Sequence, residues 1–217
     1  MTRQRRTDES PDRESGPVVE FKRQTRQRFR QRRRAYPEEE AIEASRRVCE
    51  RLAGLPEFVE AGRVVLYAAI PGSGELDLRP AFDGLRASGR GVLYPRCLPD
   101  NRLEFVEVPE WDVLRPGRHG IPEPEGNPVR LRRESDLVLV PGLAFDRSGV
   151  RLGGGGGYFD RTFAPGWEGS PRLFGVGYSW QLTEETLPCE SHDRRMDGIL
   201  TDRETLRVRN LLPEESD

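Results

Sequence analysis

The sequence contains few cysteines and histidines and no long apolar run. Its three cysteines, Cys49, Cys97 and Cys189, form no CxxC pair. This scattered, odd set argues against a disulfide framework or a cysteine-based zinc site, and it suits reduced thiols in a cytoplasm. No apolar stretch approaches the length of a membrane-spanning helix, about 20 residues. The polar N-terminus lacks the apolar segment of a secretory signal. We therefore expect a cytoplasmic protein that does not cross a membrane.

Charged residues are abundant but nearly balanced in sign. The 35 basic and 37 acidic residues give a formal net charge of -2, yet arginines crowd the first part of the chain. Residues 1–20 combine charged residues with Ser and Pro and have almost no apolar side chains, so we predict a disordered extension there. The 217 residues suffice for one domain with a sizeable core. We place this domain at 21–205, followed by a C-terminal tail at 206–217.

Helical and strand patterns alternate along the proposed domain. Good helix formers and amphipathic spacing predict helices at 21–34, from Pro37 to Gly54, and at 76–88. In the first of these helices, Phe21, Thr25 and Phe29 lie along one face. Continuous or alternating apolar runs predict strands at 63–70, 91–96, 103–108 (an edge strand), 136–140 and 172–178. The alternation of the two patterns predicts a mostly parallel sheet and the α/β class.

Five consecutive glycines follow the strand at 136–140. The run Gly153–Gly157 lets backbone N–H groups converge without interference from Cβ atoms, so it can cradle phosphate oxygens. Tyr158–Arg161 can start a helix whose N-terminus adds positive charge. Asp160 stands where a phosphate-bridging Mg²⁺ needs a carboxylate. The alternative is a flexible connection. The loop is not a Walker A motif, because no Lys-Ser/Thr follows it, and it lacks the glycine spacing of a dinucleotide fingerprint.

Charged residues near the first helix and the first strand are further candidates. Lys22 and Arg26, one helical turn apart, can bind nucleotide phosphates. The same basic cluster also suits a nucleic acid or a solvated helix, which composition alone favours. Glu75 and Asp77 follow the first strand, and ligands of α/β sheets bind beyond such strand ends, although position alone favours helix N-terminal charge. His192 has no Ser or Cys partner in the sequence, so we assign it no catalytic role.

The segment from Val140 to Arg161 resembles a family signature. It reads Pro-Gly-Leu-Ala-Phe-Asp and then Gly-x-Arg-Leu-Gly-x-Gly-x-Gly-Tyr-Phe-Asp-Arg. The 5-formyltetrahydrofolate cyclo-ligases, also called methenyltetrahydrofolate synthetases, have the same pattern with Tyr-Tyr in place of Tyr-Phe. The resemblance extends over roughly residues 22 to 202. It implies a single three-layer Rossmann-like domain with a mostly parallel sheet, related to sugar-phosphate isomerases and CoA-transferases.

The resemblance also implies a reaction and a set of site residues. The family uses ATP and Mg²⁺ to convert 5-formyltetrahydrofolate into 5,10-methenyltetrahydrofolate, with release of ADP and phosphate. The residues implied for ATP are Lys22, Arg26, Arg151, Leu152, Gly153, Gly154, Gly155, Gly156, Gly157, Tyr158 and Phe159. The residues implied for catalysis are Arg151 and Tyr158. Those implied for the folate are Ala68, Glu75 and Tyr158, and those for Mg²⁺ are Asp160 and Asp197. We expect a monomer whose partners are ATP and a reduced folate.

Three positions depart from the family pattern. Gly154 and Gly156 stand where the family often has Arg, Tyr, Gln or Lys, and Phe159 replaces the second Tyr. Loss of a charge-stabilising donor costs about 2.7–4 kcal/mol of transition-state stabilisation, so the activity is lower or the substrate differs. The first alternative is a related ATP-dependent enzyme that acts on another N-formyl compound, such as a thiamine-derived formamidopyrimidine. The second, ranked last, is a nucleic-acid-binding module that uses the arginine-rich N-terminus.

Overall fold

The computed structural model of the chain describes residues 16–132, 135–164, 171–190 and 193–208. Within these residues the helices are α1 (Pro17–Arg34), α2 (Glu38–Ala53), α3 (Pro56–Glu60), α4 (Arg79–Ala87) and α5 (Tyr158–Thr162). The strands are β1 (Arg63–Val65), β2 (Gly91–Cys97), β3 (Leu103–Glu107), β4 (Arg115–Pro116), β5 (Pro122–Glu123), β6 (Asp136–Pro141), β7 (Ala144–Asp146), β8 (Arg151–Leu152), β9 (Arg172–Val176), β10 (Leu182–Thr183), β11 (Gly198–Leu200) and β12 (Thr205–Arg207). None of the helices in these ranges is long and apolar enough to span a bilayer. His192, most of the predicted extension and most of the predicted tail lie outside the described residues.

One sheet of seven strands organises the domain, in the order β12-β11-β9-β6-β1-β2-β3. The five central strands run parallel, whereas β12 and β3 are antiparallel to their neighbours at the two edges. The predicted α/β class with a mostly parallel sheet is thereby confirmed, and so is the edge strand predicted at 103–108. The finer assignment to Rossmann-like folds stays a prediction.

The order of the parallel strands reverses at β1. After β1 the chain forms β2 on one side of β1. It then returns to form β6 on the other side of β1, and β9 and β11 are added beyond β6. Ligands of open α/β sheets bind beyond the carboxyl ends of the strands at such a switch point. The sheet therefore predicts a ligand site between the loops that follow Val65 and Pro141.

Side chains of the central strands alternate between two cores. On β1, Val64 packs with residues of α2 and α4, whereas Val65 faces a second core that includes Phe145 of β7 and Phe163 after α5. The strand β7 is the middle strand of a small sheet ordered β10-β7-β8. The central strands are thus buried on both faces, which explains why their sequences are continuous apolar runs.

Helix α1 differs from its prediction in its start, and its buried face includes a lysine. It begins at Pro17, inside the extension predicted at 1–20, because proline is preorganised for a first helical turn. Its buried residues are Lys22, Thr25 and Phe29, whereas Phe21 is 42% exposed. Phe21 has the spacing of Thr25 and Phe29, as predicted, but its ring is not buried with them. Periodicity gives the spacing of a face, but the inner side of α1 meets a polar cavity, and a lysine takes the buried position.

Other boundaries also shift. The helix predicted at 76–88 begins only at Arg79, and the ladder of β1 ends at Val65 because the following residues leave the sheet towards the switch point. Strand β12 crosses the predicted domain boundary at 205. The ordered domain therefore extends from α1 to β12.

A buried ion pair connects β1 to β6. Asp136, whose side chain is 0% exposed, accepts hydrogen bonds from the guanidinium of Arg63 at 3.0 and 2.5 Å and from the amide of Arg132 at 2.5 Å. Removing one partner of a buried pair leaves an uncompensated charge. We expect Arg63→Ala to lower the free energy of unfolding by about 3 kcal/mol, measured by urea denaturation.

The control for this stability prediction is Arg172→Ala. Arg172 is exposed and lies 4.0 Å from Glu60, and exposed pairs of this kind contribute less than about 1 kcal/mol. Equal losses of stability in the Arg63 and Arg172 variants would contradict the prediction.

Candidate active site

A cavity of about 1040 Å³ opens at the switch point of the sheet. Tyr67, Ala68 and Ile70 line it after β1, and Pro141 and Gly142 line it after β6. Every site residue implied by the family resemblance, except Asp197, also lines this cavity. Among the described residues six side-chain cations and four carboxylates form its walls. The cavity therefore favours anions, although the net charge of the whole chain is -2.

The glycine loop, Gly153–Gly157, forms one wall between β8 and α5. Gly155 (φ 104°) and Gly157 (φ 67°) have positive backbone φ angles, which glycine adopts without the steric penalty of a Cβ atom. Helix α5 follows directly, as predicted, but it has only five residues, so its dipole is small. The positive charge at the loop therefore comes mainly from arginine side chains, two of α1 and Arg161 of α5, which donates to the carbonyl of Gly156, and not from the helix end that the sequence suggested.

Two arginines of α1 contact the carbonyl groups of the glycine loop. Nε of Arg26 donates to the oxygen of Gly153 at 3.2 Å, and Nη2 of Arg30 donates to the oxygen of Gly154 at 2.6 Å. The sequence predicted Arg26 at this place and missed Arg30. The spacing of the sequence could have identified Arg30, because Arg30 follows Arg26 by one helical turn, as Arg26 follows Lys22.

Lys22 occupies the same face of α1 one turn earlier. Its Nζ atom donates to the carboxylates of Glu190 at 2.6 Å and Asp193 at 2.9 Å. Burial alone lowers the pKa of Lys22, but the hydrogen bonds to Glu190 and Asp193 outweigh burial and raise the pKa above its ordinary value. The ammonium group is therefore charged at neutral pH. The sequence predicted Lys22 but not these two carboxylates, which lie 168 and 171 residues further along the chain.

Arg151 and Asp160 bind each other beside the glycine loop. Nη2 of Arg151 donates to both oxygens of Asp160, at 3.0 and 2.9 Å, and Nη1 donates to the carbonyl of Pro141 at 3.3 Å. The side chain of Arg151 is only 4% exposed, and a Cβ atom on Gly153 would overlap its guanidinium. The guanidinium of Arg151 thus packs against Gly153 and supports the loop. Its direct contact with ATP stays a prediction.

Leu152 and Phe159, both predicted to bind ATP, line the cavity and also pack against neighbouring apolar side chains. Leu152 is buried in a small core that includes Phe29 of α1. The ring of Phe159 stacks on Phe163 with centroids 6.3 Å apart, and the guanidinium of Arg151 lies 5.4 Å from its centre. Both side chains therefore fix the elements on either side of the glycine loop.

Asp197 lies outside the cavity, contrary to its predicted pairing with Asp160. It directly precedes β11, at the amino end of that strand, whereas the cavity is at the carboxyl ends of β1 and β6. Its carboxylate accepts a hydrogen bond from the amide of Leu173 at 2.8 Å and faces Arg194 at 3.7 Å. The structure therefore does not bring the two carboxylates together, and the visible contacts of Asp197 anchor β11 to β9.

The residues that could hold Mg²⁺ are fewer than the sequence suggested. In the ranges that the structure describes, no group of three or more His, Cys, Asp or Glu side chains could hold a metal ion. Asp160 shares a single nitrogen of Arg151 between its two oxygens, so lone pairs of its carboxylate stay available. Mg²⁺ commonly binds one or two carboxylates plus substrate phosphates. A site made by Asp160 and phosphate oxygens fits the structure, whereas one that adds Asp197 does not.

Glu75 lies in the cavity wall beside the C-terminal part of α1, at the opposite end from Lys22. Arg33, which is about 16 Å along the helix axis from Lys22, donates to Oε1 of Glu75 at 3.0 Å, and the amide of Ile70 donates to Oε2 at 2.9 Å. Glu75 is therefore held in a fixed orientation at the cavity wall, and Arg33 was missed from the sequence. Asp77 accepts a hydrogen bond from the amide of Arg79 at the start of α4, which agrees with its interpretation as helix N-terminal charge.

Two side chains that the sequence did not indicate surround the hydroxyl group of Tyr158. Nε2 of His119 lies 3.3 Å from this oxygen, and Nη1 of Arg118 lies 3.5 Å from it. The ring of His119 also meets that of Tyr158 edge to face. The hydroxyl group of Tyr158 thus has two polar neighbours, and the residue lies at the cavity wall beside the glycine loop.

Cys97 is the cysteine that lines the cavity. Burial, and after it a hydrogen bond with Glu123, raises the pKa of the thiol to about 12. The thiolate, not the thiol, is the nucleophile of cysteine chemistry. Cys97 therefore stays protonated at neutral pH, and it is unsuited to covalent catalysis.

The fold and the cavity together define an α/β enzyme in which a glycine loop and a cationic helix enclose a small-molecule site at the switch point of the sheet. The sequence model of the 5-formyltetrahydrofolate cyclo-ligase family matches residues 18–202. The chain belongs to this family of ligases, as its glycine-loop signature indicated.

Individual relatives agree with this membership. The chain is 33% identical over 188 residues to the 5-formyltetrahydrofolate cyclo-ligase of Mycolicibacterium smegmatis, covering 83% of this chain and 93% of the relative. It is 31% identical over 177 residues to the Escherichia coli K12 enzyme of the same name, with 80% and 96% covered. The solution structure of Aquifex aeolicus 5,10-methenyltetrahydrofolate synthetase matches with a TM-score of 0.75 and 33% identity, covering 90% of this chain and 97% of that one.

Proposed function

We propose that this protein converts 5-formyltetrahydrofolate into 5,10-methenyltetrahydrofolate by transferring the γ-phosphoryl group of ATP to the formyl oxygen, so that ADP and phosphate are released. The observation that carries the proposal is the order of groups along one cavity. Lys22 and Arg26 lie near the glycine loop at one end, and Glu75 lies near Arg33, about three helical turns of α1 from Lys22. Such a cavity can hold a polyanion and an amino-pyrimidine ring side by side. The proposal retains the expectation of a cytoplasmic monomer.

The residues of this chain would act by binding and alignment. Lys22, Arg26 and the amides of the glycine loop bind the phosphates, while the fixed carboxylate of Glu75 accepts hydrogen bonds from the donors of the pterin. The formyl oxygen then attacks the γ-phosphorus, and N10 attacks the activated carbon as phosphate leaves. No covalent protein nucleophile is needed, which agrees with the protonated state of Cys97. Catalysis of this kind depends on positioning and on charge stabilisation.

Asp160 is the residue that would hold Mg²⁺ beside the phosphates. When bound, the ion would neutralise charge on the phosphate oxygens. Tyr158 would contact the formyl end of the folate, and its hydroxyl group would be oriented by His119 and Arg118.

A related N-formyl compound is the second candidate substrate. A Cβ atom on Gly154 would meet no atom within 4 Å, so the cavity is open where many family members carry a large side chain. The nucleic-acid alternative gains no such support. On the exposed side of α1, Arg23 and Arg28 pair with Glu20 and Glu185, so acidic side chains interrupt the basic surface.

A spectrophotometric assay of methenyltetrahydrofolate formation tests the proposal. We expect product only when 5-formyltetrahydrofolate, ATP and Mg²⁺ are all present, with ADP released in equal amount. Phosphate release with a formamidopyrimidine but not with 5-formyltetrahydrofolate would favour the second candidate. Absence of ATP-dependent turnover with both compounds would refute both.

A further inference from the structure

Arg30 lines the cavity but is not among the binding residues predicted from the sequence. It lies on α1 one turn after Arg26 and reaches the carbonyl of Gly154 at 2.6 Å. Its side chain is exposed to the cavity. Gly154 is one of the two loop positions at which this chain lacks the large polar side chain common in the family. Arg30 therefore brings a guanidinium group from α1 to a part of the loop that has no charge of its own.

The charges of Arg26 and Arg30 are incompletely neutralised by the protein. Their hydrogen bonds go to neutral carbonyl groups, and in the part of the chain that the structure describes neither forms an ion pair with a carboxylate. Burial, and after it the positive charge of Arg30, lowers the pKa of Arg26, whereas Asp193, Asp160 and Glu190 partly oppose this shift. Two neighbouring cations of one helix that repel each other at a cavity wall form a binding place for an anion.

The position of Arg30 along α1 indicates which anion it meets. Arg26 is about 6 Å before it along the helix axis, towards Lys22, and Arg33, which holds Glu75, is about 4.5 Å after it. Lys22 and Arg26 belong to the phosphate end of the cavity, and Glu75 belongs to the pterin end. Arg30 thus stands between the two ends, where a formyl oxygen and a terminal phosphate must meet.

We propose that Arg30 binds the γ-phosphoryl group of ATP and stabilises it during transfer, replacing the loop side chain that Gly154 lacks. This inference rests on the proposed function. In the step concerned, a bond forms between the formyl oxygen and the γ-phosphorus, while the bond from that phosphorus to the β,γ-bridging oxygen breaks and its electron pair leaves with ADP. A guanidinium group at the equatorial oxygens stabilises the charge that spreads over them.

Arg30→Ala tests this assignment against Arg34→Ala. Arg34 is an exposed arginine of the same helix that does not line the cavity. We expect Arg30→Ala to lower kcat by about 100-fold, the lower end of the range for loss of one charge-stabilising donor, and Arg34→Ala to leave it unchanged. Calorimetry should show that Arg30→Ala weakens the binding of a non-hydrolysable ATP analogue by about 10-fold, with ADP binding unchanged, because ADP lacks the γ-phosphate.

Each other outcome has a definite meaning. Equal weakening of the analogue and of ADP would show that Arg30 only holds the glycine loop, and it would overturn the assignment. Weaker folate binding with unchanged nucleotide binding would overturn it as well. A wild-type protein without turnover of 5-formyltetrahydrofolate would refute the proposed function, whereas the comparison of ADP with the ATP analogue would still decide the role of Arg30.

Discussion

Replacing Lys22 with alanine is expected to reduce kcat/KM for ATP by about 10³-fold, the upper end of the range for loss of a single charge-stabilising donor. Lys22 provides the ammonium group nearest to Glu190 and Asp193. Without it, the end of the cavity that we propose for the phosphates loses a cation, while the negative charges of Glu190 and Asp193 stay beside it. The second effect makes this substitution more damaging than loss of a phosphate contact alone. Steady-state kinetics with varied ATP would measure it.

The two effects can be separated with a second substitution. Glu190→Gln in the Lys22→Ala background removes one repelling charge, so we expect part of the lost kcat/KM to return. Arg23→Ala is the matched control, because Arg23 is the next residue of α1 but is 63% exposed and pairs with Glu20. A Lys22→Ala enzyme with kinetics close to those of Arg23→Ala would remove Lys22 from the phosphate site.

The sequence permits a direct chemical test of the same contact. Lys22 is the only lysine of the chain, so an acyl-phosphate derivative of ATP can acylate no other side-chain amine. Mass spectrometry should find the label on Lys22 and show protection by excess ATP. Labelling confined to the N-terminal amine would contradict the placement of the triphosphate beside α1.

Asp160→Ala is expected to remove activity and stability together. Turnover should fall by about 10³-fold, because the substitution removes the carboxylate assigned to Mg²⁺ and releases the guanidinium of Arg151 that supports the glycine loop. The 4% exposed Arg151 is left without its carboxylate. We expect a loss of about 2–3 kcal/mol in the free energy of unfolding, less than for a fully buried pair because Asp160 is 19% exposed. The melting temperature should fall by about 5–10 °C.

A double-mutant cycle isolates the pair from the metal. If Arg151 and Asp160 stabilise each other, the combined Arg151→Ala and Asp160→Ala variant should lose less stability than the sum of the two single variants. Asp160→Asn keeps the size of the side chain but removes the charge, so it should lose turnover while losing less stability than the alanine variant. An Asp160→Asn enzyme with normal dependence on Mg²⁺ would show that this carboxylate is not a metal ligand.

Local sequence patterns predicted the features that local chemistry determines. The apolar strands, the turn into Gly153–Gly157 and the short helix after it all follow from the residues that form them. The places of Lys22 and Glu75 on the cavity wall also agree with prediction, since a helix face and a strand end are local properties. Their roles in binding remain predictions.

Contacts between distant segments could not be read from the same patterns. The carboxylates that meet Lys22 come from residues 168 and 171 positions later, and no spacing rule connects such segments. Asp197 shows the converse problem. The family motif implies that Asp197 binds Mg²⁺, but only the strand directions reveal that it lies at the amino end of β11, away from the cavity.

The contacts of α1 also set the order in which the site is completed during synthesis. The helix leaves the ribosome among the first segments, but Gly153, Gly154, Glu190 and Asp193, which it meets, leave it much later. Domains emerge N-terminal end first, so α1 must wait for most of the chain before its cations find their places. A nascent chain that stops before Glu190 and Asp193 cannot place these carboxylates beside Lys22, so the end of the pocket that we propose for the phosphates stays incomplete until both are made.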